Sequence, residues 1–468
     1  MNKKRILAGL AAVLMTAVTL TACKGDSDKS SSEKSSDNAG ESSDIAADAS
    51  VDADNAEKKG QTIKWLSYYD VNPSGNDSRS IALTLFEDVY GGKVEWVPTT
   101  NDTKYDDLAN ILLSGDSVDM FPYEWDAVPN GVSKNQYQPL DDYIDLNDEL
   151  WAGMKDTADK MAYKGSHYVV PYSIDDPVCL IYSRKMMKDE GLDDPYELYQ
   201  KGEWDWDVFM DMMKTFAENG GEETRYGCAG WIEQALMQSS GQTIVNYDGQ
   251  KFTNNIDSPE IEAAEKVLEE ICDSNLYSDS WYTYFPDDGS VLFCGIAPWA
   301  LAESNGMNPD EDIFLVPFPK MPSSDKYYTS CSYGAKMLVA GSDKGEAVAE
   351  YIKCERLAVT EEQYVQAAKE KALTPEVNSD GEKTKFLTEE QWNAWQSMLD
   401  PKNITPVFDY GFGMGSEMTE ETYDYSTRGT MLNLTDSVLR PIEGSTADWS
   451  EIRDSFKSAV DKAIEKYN

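Results

Sequence analysis

Residues 63–69 read I-K-W-L-S-Y-Y, a short run of aliphatic and aromatic residues with the character of a buried strand. The next sixty residues decide its setting. Residues 79–90 carry Ile81, Leu85, Phe86 and Val89 on one helical face, and Gly91-Gly92 stops that helix. A second strand is expected over 93–97, a helix over 105–113, and a third strand over 118–121. Strands alternating with helices imply a largely parallel sheet covered on both faces. In such sheets ligands are expected at the loops after the carboxyl ends of the strands.

The same pattern resumes after Tyr182. In G-E-W-D-W-D-V-F (202–209) Asp205 is a good N-cap and Trp204 can staple onto Phe209, while Val208, Phe209, Met212, Met213 and Phe216 share one face. Ser258-Pro259-Glu260 opens a further helix with a cap, an N1 proline and a favourable charge, followed by Ile261, Ala264, Leu268 and Ile271 on one side.

At the amino end, Lys3, Lys4 and Arg5 precede an apolar run over 6–20 that is too short to span a bilayer comfortably. Thr21-Ala22-Cys23 then resembles the lipobox of bacterial lipoproteins, so 1–22 is expected to be a signal peptide and Cys23 a diacylated anchor. Residues 24–60 are mostly Ser, Asp, Ala, Glu and Lys, with Ile45 and Val51 as the only large aliphatics. Together with Cys23 they make the segment 23–60, a disordered acidic tether with a reach of roughly 30 to 35 Å.

The 408 residues beyond the tether exceed one simple core and suit two lobes. The formal net charge of −44 becomes −47 once three basic residues leave with the signal peptide. Nucleic acid is therefore not an expected partner, since it requires a cationic face.

Several chemistries are poorly served. The single histidine, His167, cannot build a two-histidine zinc site and is expected to be packed or exposed rather than catalytic. The six cysteines after Cys23 form no C-x-x-C pair, and most have the apolar surroundings of buried thiols. Asp70-Val-Asn72-Pro-Ser74-Gly75 starts like a calcium loop, but its twelfth position is Ile81. Neither metal nor cofactor is expected. A glycoside hydrolase needs two carboxylates flanking the sugar bond, and no pair is nominated by the sequence.

Seven stretches, in order, carry a resemblance to a known family: L-L-S-G-D-S-V-D-M-F (112–121), V-V-P-Y-S (169–173), L-I-Y-S-R-K-M-M-K-D-E-G-L (180–192), the W-D-W-D-V-F helix start, G-I-A-P-W-A-L (295–301), V-P-F-P-K (316–320) and S-Y-G-A-K-M-L-V-A (332–340). The chain resembles the extracellular solute-binding proteins of ABC importers, in the sugar-binding family that includes maltose-binding protein. That resemblance implies an α/β, two-lobed, periplasmic-binding-protein-like fold of type II, with crossover strands joining the lobes and the ligand cleft between them. Crossings are expected near 171–181 and 315–320, so lobe one combines 61–172 with 321–375, and lobe two 173–320 with 376–468. The family's usual acidic or glycine residue before Pro-Trp is Ala297 here.

The implied role is a non-catalytic, monomeric lipoprotein on the extracytoplasmic face of the cell membrane. It would capture a carbohydrate, an oligosaccharide in the favoured reading, and deliver it to membrane permease subunits. The alternatives are a carbohydrate-binding surface protein without a permease, or a secreted hydrolase. A pyranose needs flat aromatic faces and bidentate polar partners. The candidates at strand ends are Tyr69, Asp70, Trp125, Asp126 and Trp231; Tyr172 and Asp175 lie at the first crossover, Trp299 matches the tryptophan of the family's motif and Tyr333 the position where the chain re-enters lobe one, whereas Trp392 and Trp395 read as packing.

Overall fold

The structure, a computed structural model, describes residues 61–72, 79–415, 418, 429–439 and 448–468. Cys23 and the expected signal peptide and tether lie outside these residues. The opening strand β1 (Thr62–Ser67) pairs in parallel with β2 (Lys93–Pro98) and β3 (Met120–Pro122), and Lys336–Leu338 closes the other edge antiparallel to β3. The expected first helix begins as a turn of α-helix, Ile81–Thr84, and continues as a π-helical turn, Leu85–Val89. Ile63, Trp65, Phe86, Leu338, Tyr351 and Ile352 fill this core beneath the helix Gly345–Thr360.

The second sheet has five strands in the order Ile313–Pro317, β5 (Cys179–Ser183), Val291–Ile296, β6 (Tyr226–Gly230) and Tyr277–Ser278. Its last three strands run parallel to one another, while β5 is antiparallel to both its neighbours. Helix Trp206–Asn219 starts as its sequence dictates: Asp205 Oδ1 accepts the Val208 amide at 3.1 Å, and Trp204 meets Phe209 edge-on at 5.9 Å. Helix Pro259–Asp273 buries Ile261, Ala264, Leu268 and Ile271 behind its Ser258 cap.

Two extended segments tie the sheets together. β4 (Ser173–Asp175) crosses where the sequence suggests and pairs antiparallel with Ser332–Gly334. The second crossing thus falls later than 315–320, because Leu315 and Val316 are zipped along β5 inside the five-stranded sheet. The two crossing backbones touch. A Cβ on Gly334 would stand 2.1 Å from Ser173 Oγ and 2.5 Å from the Tyr172 ring, so any larger residue there would have to displace those side chains.

His167 follows a tight Tyr163–Ser166 bridge rather than lying in a strand, and its ring nitrogens bridge Asp141 (2.7 Å) and Asp159 (3.1 Å). All six cysteines among the described residues are free, and four are buried. Burial pushes the Cys294 and Cys331 thiols up to about 12. Trp392 is buried, with Trp395 packed edge-on against it at 6.0 Å.

Candidate functional site

In lobe two, tryptophans stand just beyond the carboxyl ends of parallel strands. Trp231 follows β6 directly, and Trp299 follows Val291–Ile296 by three residues. Their ring centroids are 6.4 Å apart, with the planes inclined at 61°. Glycines make this approach possible. Gly230 has φ +85°, and a Cβ there would lie 2.3 Å from the Gly295 carbonyl oxygen, which accepts the Trp231 amide at 2.8 Å. Ala297 adopts an ordinary extended conformation (φ −83°, ψ 157°), so the turn into Pro298-Trp299 needs no glycine. A third ring, Trp281, lies 6.5 Å from Trp231 and was not among the sequence candidates.

In lobe one the corresponding strand ends carry a polar wall. Tyr68 follows β1, and Glu124 and Trp125 follow β3. Burial, and then the charge of Glu124, pushes the Tyr68 phenol up. Lys104 Nζ sits 3.5 Å from Glu124 and donates to Asn101 Oδ1 at 2.8 Å, with its charge over the Tyr68 and Tyr105 rings. Burial pushes the Glu124 carboxyl up, and Lys104 opposes the shift. Trp125 is 47% exposed and meets Phe412 edge-on at 5.5 Å. Asp126 is buried: one oxygen accepts from Asn130 at 3.3 Å, and the other has no hydrogen-bond partner among the described residues.

Between the walls, at the crossing strands, lies a dense set of tyrosines and charges. Lys336 is buried, 3.4 Å from Glu355 and donating to the Tyr172 hydroxyl at 3.1 Å. Tyr172 also gives its carbonyl to Arg356 at 2.8 Å. Asp175 accepts the Ser173 hydroxyl at 2.7 Å, and its carboxyl is pushed up chiefly by burial. Tyr333 donates to the Val407 carbonyl at 3.2 Å and packs on Phe408.

The structure therefore gathers Tyr172, Asp175 and Tyr333 at the crossing, Trp231 and Trp299 in lobe two, and Trp125 with Asp126 in lobe one. Tyr69 turns toward the crossing, where its charged neighbours include Lys336, and packs edge-on against Trp65. Asp70 is exposed and accepts the Asn72 amide at 2.8 Å, as a turn cap. Sequence reasoning missed Tyr68, Lys104 and Glu124. The Tyr68-Tyr69 doublet after a strand was a usable signal, because alternate residues of an extended chain point to opposite sides.

Two acidic groups near the crossing give the protein an expected pH dependence. Burial, and then the charge of Asp175, raises Asp176 to about 6, and burial raises Asp409 to about 6 against the amides of Gly411, Ile244 and Val245. Both lie above the usual aspartate value near 4, so the folded state takes up protons that the unfolded chain does not bind between about pH 4 and 6. Their stabilising contribution is complete below about pH 4 and lost as pH rises through 6. For Asp409 it amounts to roughly 3 kcal/mol. The melting midpoint is expected to be higher near pH 5 than at pH 8, and Asp409→Asn should flatten that difference. An unaltered slope in this variant would show that Asp409 is not responsible.

Two α/β lobes, joined by crossing strands and bearing side chains at their strand ends, make a two-lobed, type II periplasmic-binding-protein-like fold. Comparison with known proteins agrees: residues 72–284 match the model of the bacterial extracellular solute-binding protein family. The diacetylchitobiose-binding protein DasA of Streptomyces coelicolor is 25% identical over 227 residues, which cover 46% of this chain and 51% of DasA. The match thus spans about half the length of that curated relative. Among solved structures, the cyclic alpha-maltosyl-1,6-maltose binding protein from Arthrobacter globiformis superposes with a TM-score of 0.60 at 14% identity, covering 87% of this chain and 99% of that one. The galacto-N-biose/lacto-N-biose I-binding protein of the Bifidobacterium longum ABC transporter gives 0.59 at 12% identity, with coverage of 87% and 97%. At these identities the structural likeness is one of fold. The resemblance seen in the sequence is borne out.

Proposed function

We propose that the protein captures a carbohydrate in the cleft between its lobes and delivers it to the permease of an ABC importer. The observation that carries this reading is the set of tryptophans held at adjacent parallel strand ends, in a fold whose solved relatives include sugar-binding proteins. Indole faces suit the C–H faces of a pyranose, and the lobe-one Tyr68–Glu124–Lys104 wall supplies the donors and acceptors that adjacent hydroxyls require. The crossing strands at Ser173–Asp175 and Ser332–Gly334 serve as the hinge, a few residues absorbing the rotation as the lobes close. In this reading the lobes combine 61–172 with 335–375, and 176–331 with 376–468, the chain crossing between them at Ser173–Asp175 and Ser332–Gly334.

A panel of mono- and oligosaccharides read by thermal shift tests the reading. A ligand at 100 times its dissociation constant adds about 2.7 kcal/mol to the folded state, so its sugar should raise the midpoint by several degrees. No response to any sugar, with a response to peptides or polyamines, would replace carbohydrate by that class. The role is non-catalytic: ligand recovered after incubation should be chemically intact, and protein-dependent product formation would turn the assignment toward a hydrolase.

The anchor belongs to the same reading. With Cys23 lipidated, the acidic segment 24–60 holds the folded body near the membrane while leaving it free to turn. Two acyl chains anchor stably, so Cys23→Ala is expected to move the protein from the membrane fraction to the medium or periplasm. Retention of the variant on membranes would place the anchor elsewhere.

A further inference from the structure

Trp281 is 71% exposed, more than any other tryptophan among the described residues, and it lies three residues beyond Tyr277–Ser278, the edge strand of the five-stranded sheet. Its neighbours give that exposure a meaning. The sheet runs Val291–Ile296, β6, Tyr277–Ser278, all parallel, and each of these strands is followed within three residues by a tryptophan: Trp299, Trp231, Trp281. The three indoles therefore stand in strand order, at centroid spacings of 6.4 and 6.5 Å. Backbone contacts hold the row. Trp231 N–H donates to the Gly295 carbonyl at 2.8 Å, and the Tyr277 hydroxyl donates to the Gly230 carbonyl at 3.1 Å, so neighbouring strand ends are pinned to one another.

Beyond the row, the loop after Trp281 borders a surface hollow of about 230 Å³, half open to solvent and walled by Trp281, Tyr282, Tyr284, Pro286, Asp287 and Asp288. At about 30 Å³ per water it holds the volume of roughly seven or eight waters, the scale of a single sugar ring. Its lining joins aromatic faces to carboxylates. Asp287 is exposed, while Asp288 Oδ1 is engaged by the Ser290 amide and hydroxyl, which fixes the turn. An aromatic wall with a bidentate acceptor is what a pyranose with adjacent hydroxyls requires.

We propose that Trp281 and its loop form an outer subsite that receives a further ring of the same ligand, so that the site takes an oligosaccharide of three or more units lying along Trp299, Trp231 and Trp281. This rests on the carbohydrate-binding function and adds a length to it. A monosaccharide would leave the row largely unused.

The test measures affinity by calorimetry for malto-, cello- and N-acetylchito-oligosaccharides of one to six units, on the full mature chain and on Trp281→Ala and Trp281→Tyr. In the series that binds, wild-type affinity should climb up to at least the trisaccharide. Trp281→Ala should lose that climb, weakening trisaccharide and longer chains about tenfold or more with little change for shorter ones, and Trp281→Tyr should recover most of it. Because the side chain is so exposed, melting midpoints should not move. Wild-type binding with no dependence on length, or Trp281→Ala binding long chains as wild type does, overturns the subsite alone. Wild type that binds no member of any series overturns the carbohydrate reading and the subsite together.

Discussion

Lys336→Ala is expected to lower folding stability by about 3 to 5 kcal/mol, the usual consequence of removing one partner of a buried ion pair. Lys336 is 4% exposed, and its ammonium lies 3.4 Å from Glu355, donates to Tyr172, and stands over the rings of Trp65, Tyr172 and Tyr351 at 5.2 to 5.9 Å. Burial opposes its charge. The phenol oxygens of Tyr172 and Tyr69, and then the Glu355 carboxylate, more than offset that cost, so the ammonium's pKa is held well above its usual value. Truncation to alanine strands the Glu355 carboxylate, leaves the Tyr172 hydroxyl without its donor, and opens a gap among three rings. Chemical denaturation measures the loss directly. A double-mutant cycle separates its parts: Lys336→Met keeps the aliphatic stem and should still be strongly destabilised, whereas adding Glu355→Gln should return much of the stability. If Lys336→Met alone is as stable as wild type, the charge pair is not what holds this junction.

Lys336 also shows what a sequence of this kind hides. The sequence marks S-Y-G-A-K-M-L-V-A (332–340) only as a family-like stretch, and nothing local to it signals that its lysine is a buried cation. Only tertiary placement, with Glu355 arriving from a helix and Tyr172 from the crossing strand, reveals a buried cation. Features set by local chemistry were legible: the Asp205 and Ser258 caps, the Trp204–Phe209 staple, the faces of the helices they open, and the strand before Trp231.

Features set by distant pairing were not. The second crossing was expected at 315–320 on the family resemblance, yet residues up to Pro317 still pair with β5, and the chain crosses only where Ser332–Gly334 meets Ser173–Asp175. Trp281 escaped notice because the strand that precedes it is two residues long, below the length at which any hydrophobic period can be seen. Lys104 and Glu124 are twenty positions apart and become neighbours only when the helix after β2 packs beside the end of β3.

Trp299→Ala is expected to weaken carbohydrate binding by about 2 kcal/mol or more, roughly thirtyfold, while the protein stays folded. Trp299 is only partly buried, and its ring meets Trp231 at 6.4 Å on the side where the strand ends open. A platform of this kind contributes apolar area at little entropic cost, since two torsions fix the whole indole. Its loss also removes the edge that orients Trp231, so the effect should exceed that of Trp281→Ala on the same ligand. Partial burial makes a competing outcome concrete. Were the indole chiefly a core residue, truncation would cost about 3 to 5 kcal/mol of stability and the variant would unfold early. Calorimetric affinity and thermal midpoint, taken together on Trp299→Ala, separate these cases, and Trp299→Phe sharpens the result by keeping a smaller aromatic face. A folded alanine variant with wild-type affinity would remove Trp299 from the site. A phenylalanine variant that binds several-fold better than alanine, at equal stability, would be the signature of ring stacking.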